Sequence, residues 1–203
     1  MISFQEATEL LKQDAIVALP TETVYGLAVK YSSQKGIEAL YDLKGRSKQK
    51  PLTINLYTAE DINQFIQYEP EGLQLLMSSY WPGPLTLVID VKEEFILPIV
   101  RNGDKTCGFR VPDHKLTREI IKEVGPIVLP SANLSGNVPA TEATQIKLEF
   151  NDRVPVLDGG VCRIGVASTV LAFLEGRWQI LREGAISKET LRDLLGYEPR
   201  IIL

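Results

Sequence analysis

The chain has 203 residues and a formal net charge of −4, and 44% of its residues are hydrophobic. This length suits one domain, and the composition excludes the disordered and fibrous classes of protein. The acidic balance argues against a surface coated with basic charge for nucleic acid, although it leaves room for a local basic patch. No apolar stretch approaches the roughly 20 residues of a membrane span, and residues 1–6 lack the features of a signal peptide. We therefore expect one domain over residues 1–203, in a cytoplasmic protein without membrane contact.

The first half of the chain alternates between helical and strand patterns. Ser3 and Glu6 form a capping-box pattern that begins the first helix, and Gly45 supplies the stop signal of the second. The periodicity predicts, in chain order, helix 4–13, strand 15–19, strand 27–29, a helix from about 37 to 44, strand 52–56, helix 58–66, a helix around 73–77 and strand 85–91.

The second half continues the alternation and adds a hairpin. It predicts strand 106–111, helix 117–124, strand 127–129, helix 141–150, strand 154–157, hairpin strands 169–174 and 178–181, and a closing helix that begins at Ser187. Alternating strands and helices interrupted by hairpins favour an α/β fold with a mixed sheet over a purely parallel one. The two cysteines, Cys107 and Cys162, are predicted to be free buried thiols, with one disulfide between them as the alternative.

Two short polar segments each follow directly on an apolar run. Residues 20–27, with the sequence PTETVYGL, follow the first predicted strand, and residues 130–136, with the sequence PSANLSG, follow strand 127–129. Hydroxyl and amide side chains at a strand end are poor core material, and ligands of open α/β sheets gather at such edges. The two segments therefore predict one pocket that is built from both.

Several common catalytic and nucleotide-binding motifs are absent from the sequence. It contains neither Gly-x-x-x-x-Gly-Lys-Ser/Thr nor Gly-x-Gly-x-x-Gly, which excludes both common nucleotide cradles. The single histidine, His114, lies in a polar turn, and we interpret it as a surface residue and predict no metal site. The segments 47–50 and 131–133 resemble two elements of penicillin-recognising serine enzymes, but the third element, Lys-Thr-Gly, is missing.

Cations stand at the ends of several predicted elements. Each cation, taken alone, has a purely structural explanation, such as the helix dipole for Lys44 or an ion pair with the neighbouring Glu183 for Arg182. Together they favour an anionic ligand, because arginine matches phosphate and carboxylate in bidentate fashion. The cations are Lys44, Arg46, Arg110 and Arg182, and the neutral side chains that would orient the ligand are Thr23, Ser131, Asn133 and Ser168. Without acid/base pairs, such a site would catalyse by positioning and by neutralising charge.

These segments, taken in order, resemble the YrdC/TsaC family. The likeness runs from about residue 10 to residue 195, and the order of the motifs is more specific than any one of them. The matching segments are 20–27, 44–46, 81–86, 110–112, 130–136, 168–170 and 182–184. The resemblance implies an open twisted α/β sandwich, with a mixed parallel/antiparallel sheet around a concave cavity, in the short single-domain form of the family.

The resemblance also implies a reaction, because proteins of this kind are threonylcarbamoyl-AMP synthases, a class of nucleotidyltransferase. L-threonine and bicarbonate or CO2 would give N-carboxythreonine, which attacks the α-phosphorus of ATP and releases pyrophosphate. Mg²⁺ would arrive on the phosphates of ATP without dedicated protein ligands. Partner proteins would then pass the threonylcarbamoyl group to tRNA as threonylcarbamoyladenosine (t6A), so that contact of this chain with tRNA would be weak or indirect.

The matching motifs carry residue roles with them. The resemblance places Thr23, Asn55, Arg110 and Ser168 at L-threonine, Arg46, Lys50, Thr106, Asn133, Thr141 and Arg182 at ATP, and Lys44, Arg46 and Ser131 at the reacting groups. The chain departs from the usual pattern in places. Lys50 stands where asparagine is common, Asn55 where histidine is common, and Ala167 where glutamate is frequent.

Two alternatives belong to other functional classes. The first is a YciO-type paralogue, or an RNA-binding YrdC-like protein, without synthase activity; the intact segments 44–46 and 131–133 weigh against it. Salt-dependent binding of bare tRNA without ATP turnover would support this alternative. The second is a carbamoyl-transfer module like that of hydrogenase maturation proteins, and the lack of zinc-finger cysteines in this sequence weighs against it.

Overall fold

Eight strands form one mixed sheet in the computed structural model, which describes residues 1–202. In chain order they are β1 (Val17–Leu19), β2 (Gly26–Lys30), β3 (Thr53–Asn55), β4 (Leu85–Asp90), β5 (Thr106–Arg110), β6 (Ile127–Val128), β7 (Thr169–Leu174) and β8 (Arg177–Arg182). Their order across the sheet is β1-β2-β6-β3-β5-β4-β7-β8. The pairs β3–β5 and β4–β7 are parallel and the other neighbours are antiparallel, which confirms the mixed α/β prediction.

Seven α-helices accompany the sheet. They are α1 (Phe4–Lys12), α2 (Gln34–Lys44), α3 (Leu73–Tyr80), α4 (Pro98–Arg101), α5 (Lys115–Val124), α6 (Ala143–Phe150) and α7 (Lys188–Leu195), with short 3₁₀ helices at Glu60–Gln64 and Glu93–Phe95. The predicted capping box of α1 is present, and Gly45 ends α2 in the left-handed conformation with a φ of 58°. Within residues 1–202 no helix is long and apolar enough to span a membrane.

Helices cover both faces of the sheet, and the strands alternate accordingly. In β2, Leu27 and Val29 face a large core that includes residues of α2 and α3, whereas Ala28 faces a smaller core. That smaller core is formed with residues of α1 and α5. Because successive side chains of a strand point to opposite faces, an apolar run without polar positions is the pattern expected for a strand covered on both sides.

Two predicted elements differ from the structure, and one α-helix was not predicted. The predicted strand 154–157 forms only two isolated bridges, from Val156 to Ala18 and from Leu157 to Ile2. The predicted helix 58–66 shortens to the 3₁₀ helix Glu60–Gln64. The unpredicted helix is α4, whose four residues are too few to show helical periodicity. Both cysteines are free and buried, as predicted.

One edge of the sheet collects the predicted polar segments. The ends of β3 and β5 meet there, since Asn55 pairs with Arg110 in the parallel register. The starts of β4 and β7 lie at the same edge, because Leu85 pairs with Thr169. Segments 20–25 and 129–136 leave β1 and β6 beside them, and Gly26 forms an isolated bridge with Ser131.

The first turn of α2, the helix that ends beside this edge at Lys44, packs closely against β2. Gly36 makes the approach possible, since a Cβ atom built at this position would lie 2.5 Å from Val29 Cγ1 and 2.9 Å from the carbonyl oxygen of Asp14. The second contact is with backbone, which cannot turn aside as a flexible side chain can. Packing therefore requires a glycine in this first helical turn.

We expect Gly36→Ala to lower the free energy of unfolding by about 1–3 kcal/mol through overpacking. Helix propensity alone would change it in the opposite direction by about 1 kcal/mol. Ala39→Gly is the matched control, because Ala39 is exposed on the same helix and should lose only the propensity difference. Urea unfolding measures both variants, and a stabilised Gly36→Ala protein would contradict the packing at this position.

Candidate functional site

A cavity opens at this edge of the sheet, and five strands, β2, β3, β4, β5 and β8, contribute residues to its wall. Its polar wall consists of Thr21, Thr23, Arg46, Thr53, Asn55, Thr86, Arg110, Ser131, Ser168 and Arg182. Both predicted polar segments, 20–27 and 130–136, line the cavity, which confirms the prediction of one pocket built from both. Among the described residues, no aspartate or glutamate lines it.

Three arginines give the cavity its charge. Arg110 is buried, Arg46 is half-buried, and Arg182 stands at the open side. The pKa of Arg182 is lowered, first by partial desolvation and then by the positive charges of Arg110 and Arg46, so the three guanidinium groups share one electrostatic environment. With no carboxylate on the wall to offset them, they form a site for an anion.

Hydrogen bonds from Nε and Nη2 hold the Arg110 side chain, and its Nη1 is available to a ligand. Its Nε donates to the carbonyl of Gly83 at 3.1 Å, and its Nη2 donates to Glu22 Oε1 at 2.7 Å and to Thr23 Oγ1 at 2.8 Å. Glu22 is 1% exposed and lies behind the cavity wall. Within residues 1–202 no group accepts a hydrogen bond from Nη1 of Arg110, and this nitrogen can meet a ligand carboxylate.

Arg182 binds the start of β7. Its Nη2 donates to the carbonyl of Ser168 at 2.7 Å and to Ser168 Oγ at 3.1 Å. Ser168 Oγ is also 2.9 Å from Thr86 Oγ1, so the hydroxyl of Ser168 is fixed between β4 and Arg182. A fixed hydroxyl of this kind orients a polar ligand at little entropic cost.

Arg46 follows the end of α2 and keeps unused donor capacity. Its Nη2 donates to the carbonyl of Pro51 at 3.1 Å, while its Nε is buried without a partner in the described part of the chain. Burial lowers the pKa of Arg46, with a smaller opposing effect from Tyr41. An unpaired buried donor on a cation is costly unless a ligand completes it.

Lys44 lies immediately behind the wall, and not on it. It is 2% exposed, and its Nζ donates to the carbonyl of Ser131 and, at 2.6 Å, to that of Asn133. Burial, followed by the charge of Arg46, lowers its pKa to about 8, whereas Glu149 acts in the opposite direction. Asn133 Oδ1 is buried without a partner among residues 1–202.

The structure thus brings most of the candidate residues together. Thr23, Arg46, Asn55, Arg110, Ser131, Ser168 and Arg182 line the cavity, and Lys44 and Asn133 lie directly behind it. Thr141 lines an adjoining depression that shares Val24, Pro139 and Ala167 with the cavity.

Two candidate residues lie elsewhere. Thr106 is at the opposite end of β5 from Arg110, about 13 Å along the strand at the usual rise per residue. Lys50 is exposed outside the cavity wall. The assignment of both residues to a nucleotide therefore has no support in the geometry. His114, interpreted as a surface residue, is half-buried, and burial lowers its pKa.

The candidate list missed polar residues that the structure places at the site. Thr21, Thr53 and Thr86 line the cavity, and Glu22 holds Arg110. Thr86 had a detectable signal, because it is a hydroxyl residue at the start of an otherwise apolar strand. No comparable indication exists in the sequence for Glu22, because a glutamate in a polar segment is expected to be exposed to solvent unless its partner, here Arg110 of β5, is known.

Comparison with known proteins assigns this chain to a family. Residues 9–184 match the profile of the Sua5/YciO/YrdC family, whose description reads "Telomere recombination". The chain belongs to the Sua5/YciO/YrdC family. A relative from Bacillus subtilis (strain 168), named threonylcarbamoyl-AMP synthase, is 37% identical over 94% of this chain and 56% of the relative. A relative of the same name from Pyrococcus abyssi is 33% identical over the same shares of the two chains.

Solved structures of the Sua5/YciO/YrdC family share this fold. The crystal structure of P. abyssi Sua5 complexed with L-threonine is similar with a TM-score of 0.93 and 32% identity, over 98% of this chain and 58% of that chain. E. coli YciO has a TM-score of 0.81 at 18% identity, over 92% of this chain and 91% of that chain, a likeness of fold alone. The chain spans little more than half the length of the two synthase relatives described above.

We expect the burial of Lys44 to appear in the pH dependence of stability. Its pKa falls from the ordinary value of 10.5 to about 8 on folding, so the unfolded state binds more protons between these values. The contribution of Lys44 therefore rises by about 3 kcal/mol as the pH increases through this window. Urea unfolding of wild type and Lys44→Met from pH 7 to 10.5 measures this contribution as the difference between their free energies of unfolding. A difference that stays constant with pH would contradict the lowered pKa.

Proposed function

We propose that this chain synthesises threonylcarbamoyl-AMP from L-threonine, bicarbonate and MgATP. The observation that carries the proposal is the cavity itself, where three arginines and several hydroxyl groups face one another and no carboxylate lines the wall. Two relatives at 33–37% identity bear the name threonylcarbamoyl-AMP synthase, which supports the same reaction. The chemistry joins two anions, so a surplus of fixed positive charge is what the site needs.

The reaction balances without an acid/base pair from the protein. Bicarbonate takes up a proton and gives CO2 and water, and the amine of threonine adds to CO2 and loses a proton to solvent, which gives N-carboxythreonine. A carboxylate oxygen of that carbamate then attacks the α-phosphorus of ATP, the new O–P bond forms, and the bond from the α-phosphorus to the bridging oxygen of pyrophosphate breaks. The electron pair leaves on pyrophosphate, and charge neutralisation and alignment account for catalysis.

The threonine end of the proposed site is the Arg110 side of the cavity. Nη1 of Arg110 is free for the substrate carboxylate, and Thr23 Oγ1 is held beside Nη2. The fixed hydroxyl of Ser168 lies on the same wall, together with Asn55, whose Nδ2 donates to the carbonyl of Thr53 at 3.3 Å. Asn55 supplies hydrogen bonds there without a titrating group.

The nucleotide end is the side formed by Arg46, Arg182 and segment 131–133. Arg46 has an unused buried Nε, and Asn133 has an unused buried Oδ1, which suits an N–H or O–H of the nucleotide. Thr141 lies in the adjoining depression, where the nucleotide would continue. Because no carboxylate lines the cavity, we propose that Mg²⁺ enters as part of the substrate, on the phosphates.

The proposed product is a reactive mixed anhydride, which implies a consumer. We propose that tRNA threonylcarbamoyl-transfer proteins take the threonylcarbamoyl group from it in the cytoplasm. The formal net charge of −4 argues against extensive contact of this chain with tRNA, so the proposal leaves tRNA binding to the transfer proteins.

Pyrophosphate release from ATP by the purified protein tests the proposal. Magnesium is present throughout, and L-threonine and bicarbonate are omitted one at a time. Release that requires both together is the expected result. No release from folded protein would favour the YciO-type or RNA-binding alternative, and release without threonine would indicate plain ATP hydrolysis.

Arg46→Ala should lower pyrophosphate release at least about hundredfold, because hydrogen bonds to a charged group in a water-poor site contribute about 1.5–3 kcal/mol and the charge of Arg46 acts on the phosphates as well. Steady-state assays with saturating threonine measure the loss. Lys48→Ala is the control, since Lys48 is an exposed cation two residues away. Near-normal turnover of Arg46→Ala would contradict the placement of ATP.

Arg110→Ala should raise the KM for threonine by tenfold or more, because the variant loses the partner of the substrate carboxylate. The KM for ATP should change much less, since Arg110 faces the other end of the cavity. Because Glu22 would be left buried and unpaired, the Arg110→Ala, Glu22→Gln double variant is measured beside it. An unchanged threonine dependence in both variants would place the substrate elsewhere.

A further inference from the structure

Lys44 is more deeply buried than Arg46, Arg110 or Arg182, and no carboxylate of residues 1–202 bonds its ammonium group. Its partners are the carbonyl oxygens of Ser131 and Asn133, two residues of the segment that forms one cavity wall. The charged groups that face it are Arg46, from the turn after α2, and Glu149, from α6. A buried ammonium group is expensive, and a site that keeps one requires a use for it.

The contacts of Lys44 with this segment extend beyond its ammonium group. Its own carbonyl accepts a hydrogen bond from the backbone N–H of Ser135 at 2.8 Å. The last residue of α2 therefore holds segment 131–135 at three points, two through the side chain and one through the backbone. Glu149 supports the same segment from the other side, since its Oε1 accepts from the N–H of Leu134 at 2.8 Å.

The consequence falls on Ser131 and Asn133. Ser131 lines the cavity, whereas Lys44 does not. Carbonyl groups that bond an ammonium group point toward it, and Asn133 Nδ2 also donates to the carbonyls of Leu134 and Asn137, at 2.7 and 3.0 Å. Both residues are thus held in place while Ser131 lines the cavity. The two carbonyls occupy two of the three N–H donors of the ammonium group, and Lys44 is 2% exposed and absent from the cavity wall, so a phosphate in the cavity would not reach its Nζ without a shift of segment 131–133.

We propose that Lys44 is a positioning residue, which orients segment 131–133 for the nucleotide by holding its carbonyls and does not itself bind phosphate. This inference rests on the proposed function, and it separates Lys44 from Arg46, two residues away in the sequence. Lys44 therefore affects kcat, the rate of reaction once the substrates are bound, more than it affects the KM for ATP.

The test compares two substitutions of nearly equal length, Lys44→Met and Lys44→Gln. Both remove the charge, but only glutamine keeps N–H donors for the carbonyls. Hydrogen exchange of segment 131–136 is measured without substrates, and kcat and KM for ATP are measured by pyrophosphate release. Lys48→Met is the matched control, because Lys48 is exposed in the same part of the chain.

The proposal predicts that Lys44→Met speeds exchange in segment 131–136 and lowers kcat at least about tenfold, with a change in KM for ATP of less than about threefold. Lys44→Gln should recover part of both losses, and Lys48→Met should match wild type. Equal loss in the two Lys44 variants, with wild-type exchange and a raised KM for ATP, would overturn the proposal and make Lys44 a phosphate ligand.

The exchange measurement keeps the inference separate from the proposed reaction. If the wild-type protein releases no pyrophosphate, the proposed function fails, while exchange still shows whether Lys44 holds the segment. If neither Lys44 variant folds, the Nζ resonance of Lys44 in the ¹⁵N-labelled wild-type protein is followed by NMR as MgATP is added. A positioning residue keeps both carbonyl partners, so this resonance should move little, and a large shift on binding of MgATP would overturn the proposal.

Discussion

The cations at this site are satisfied by backbone carbonyl groups more than by carboxylates, and the rest of the site depends on this arrangement. Arg46 bonds the carbonyl of Pro51, Arg110 that of Gly83, Arg182 that of Ser168, and Lys44 those of Ser131 and Asn133. A carbonyl completes the hydrogen bonds of a cation without cancelling its charge. Among residues 1–202, Glu22, behind Arg110, is the one carboxylate that pairs with any of the four. Net positive charge therefore remains for an anionic ligand.

This arrangement explains why the site lies where strands and helices end. Carbonyls inside helices and strands are already used by the backbone, and free ones occur in the connecting segments. The edge of the sheet brings residues of five strands and the end of α2 together, so several free carbonyls converge there. The same convergence places hydroxyl groups beside the cations, and Thr23 and Ser168 are fixed by the arginines themselves.

The sequence predicted much of this, with limits that have physical causes. Periodicity located most helices and strands, and the two polar segments after apolar runs located the cavity. It could not show that Glu22 meets Arg110, or that Lys44 turns away from the cavity, because both depend on contacts between residues 87 or more positions apart. Thr106 shows a second limit: its place in the sequence matches the family pattern, but it lies at the end of β5 that is far from the cavity. Order along the chain predicts which segments converge, whereas the direction of each side chain depends on packing.

The most direct test of the central claim follows the carbon atom that the proposed reaction transfers. The purified protein is incubated with MgATP, L-threonine and ¹³C-bicarbonate, and the nucleotide products are separated and weighed by mass spectrometry. The account predicts an adenylate that contains threonine and one ¹³C atom, formed in step with pyrophosphate. Only AMP or ADP, with no labelled adenylate at early times, would contradict it and reduce the cavity to an anion-binding site without this chemistry.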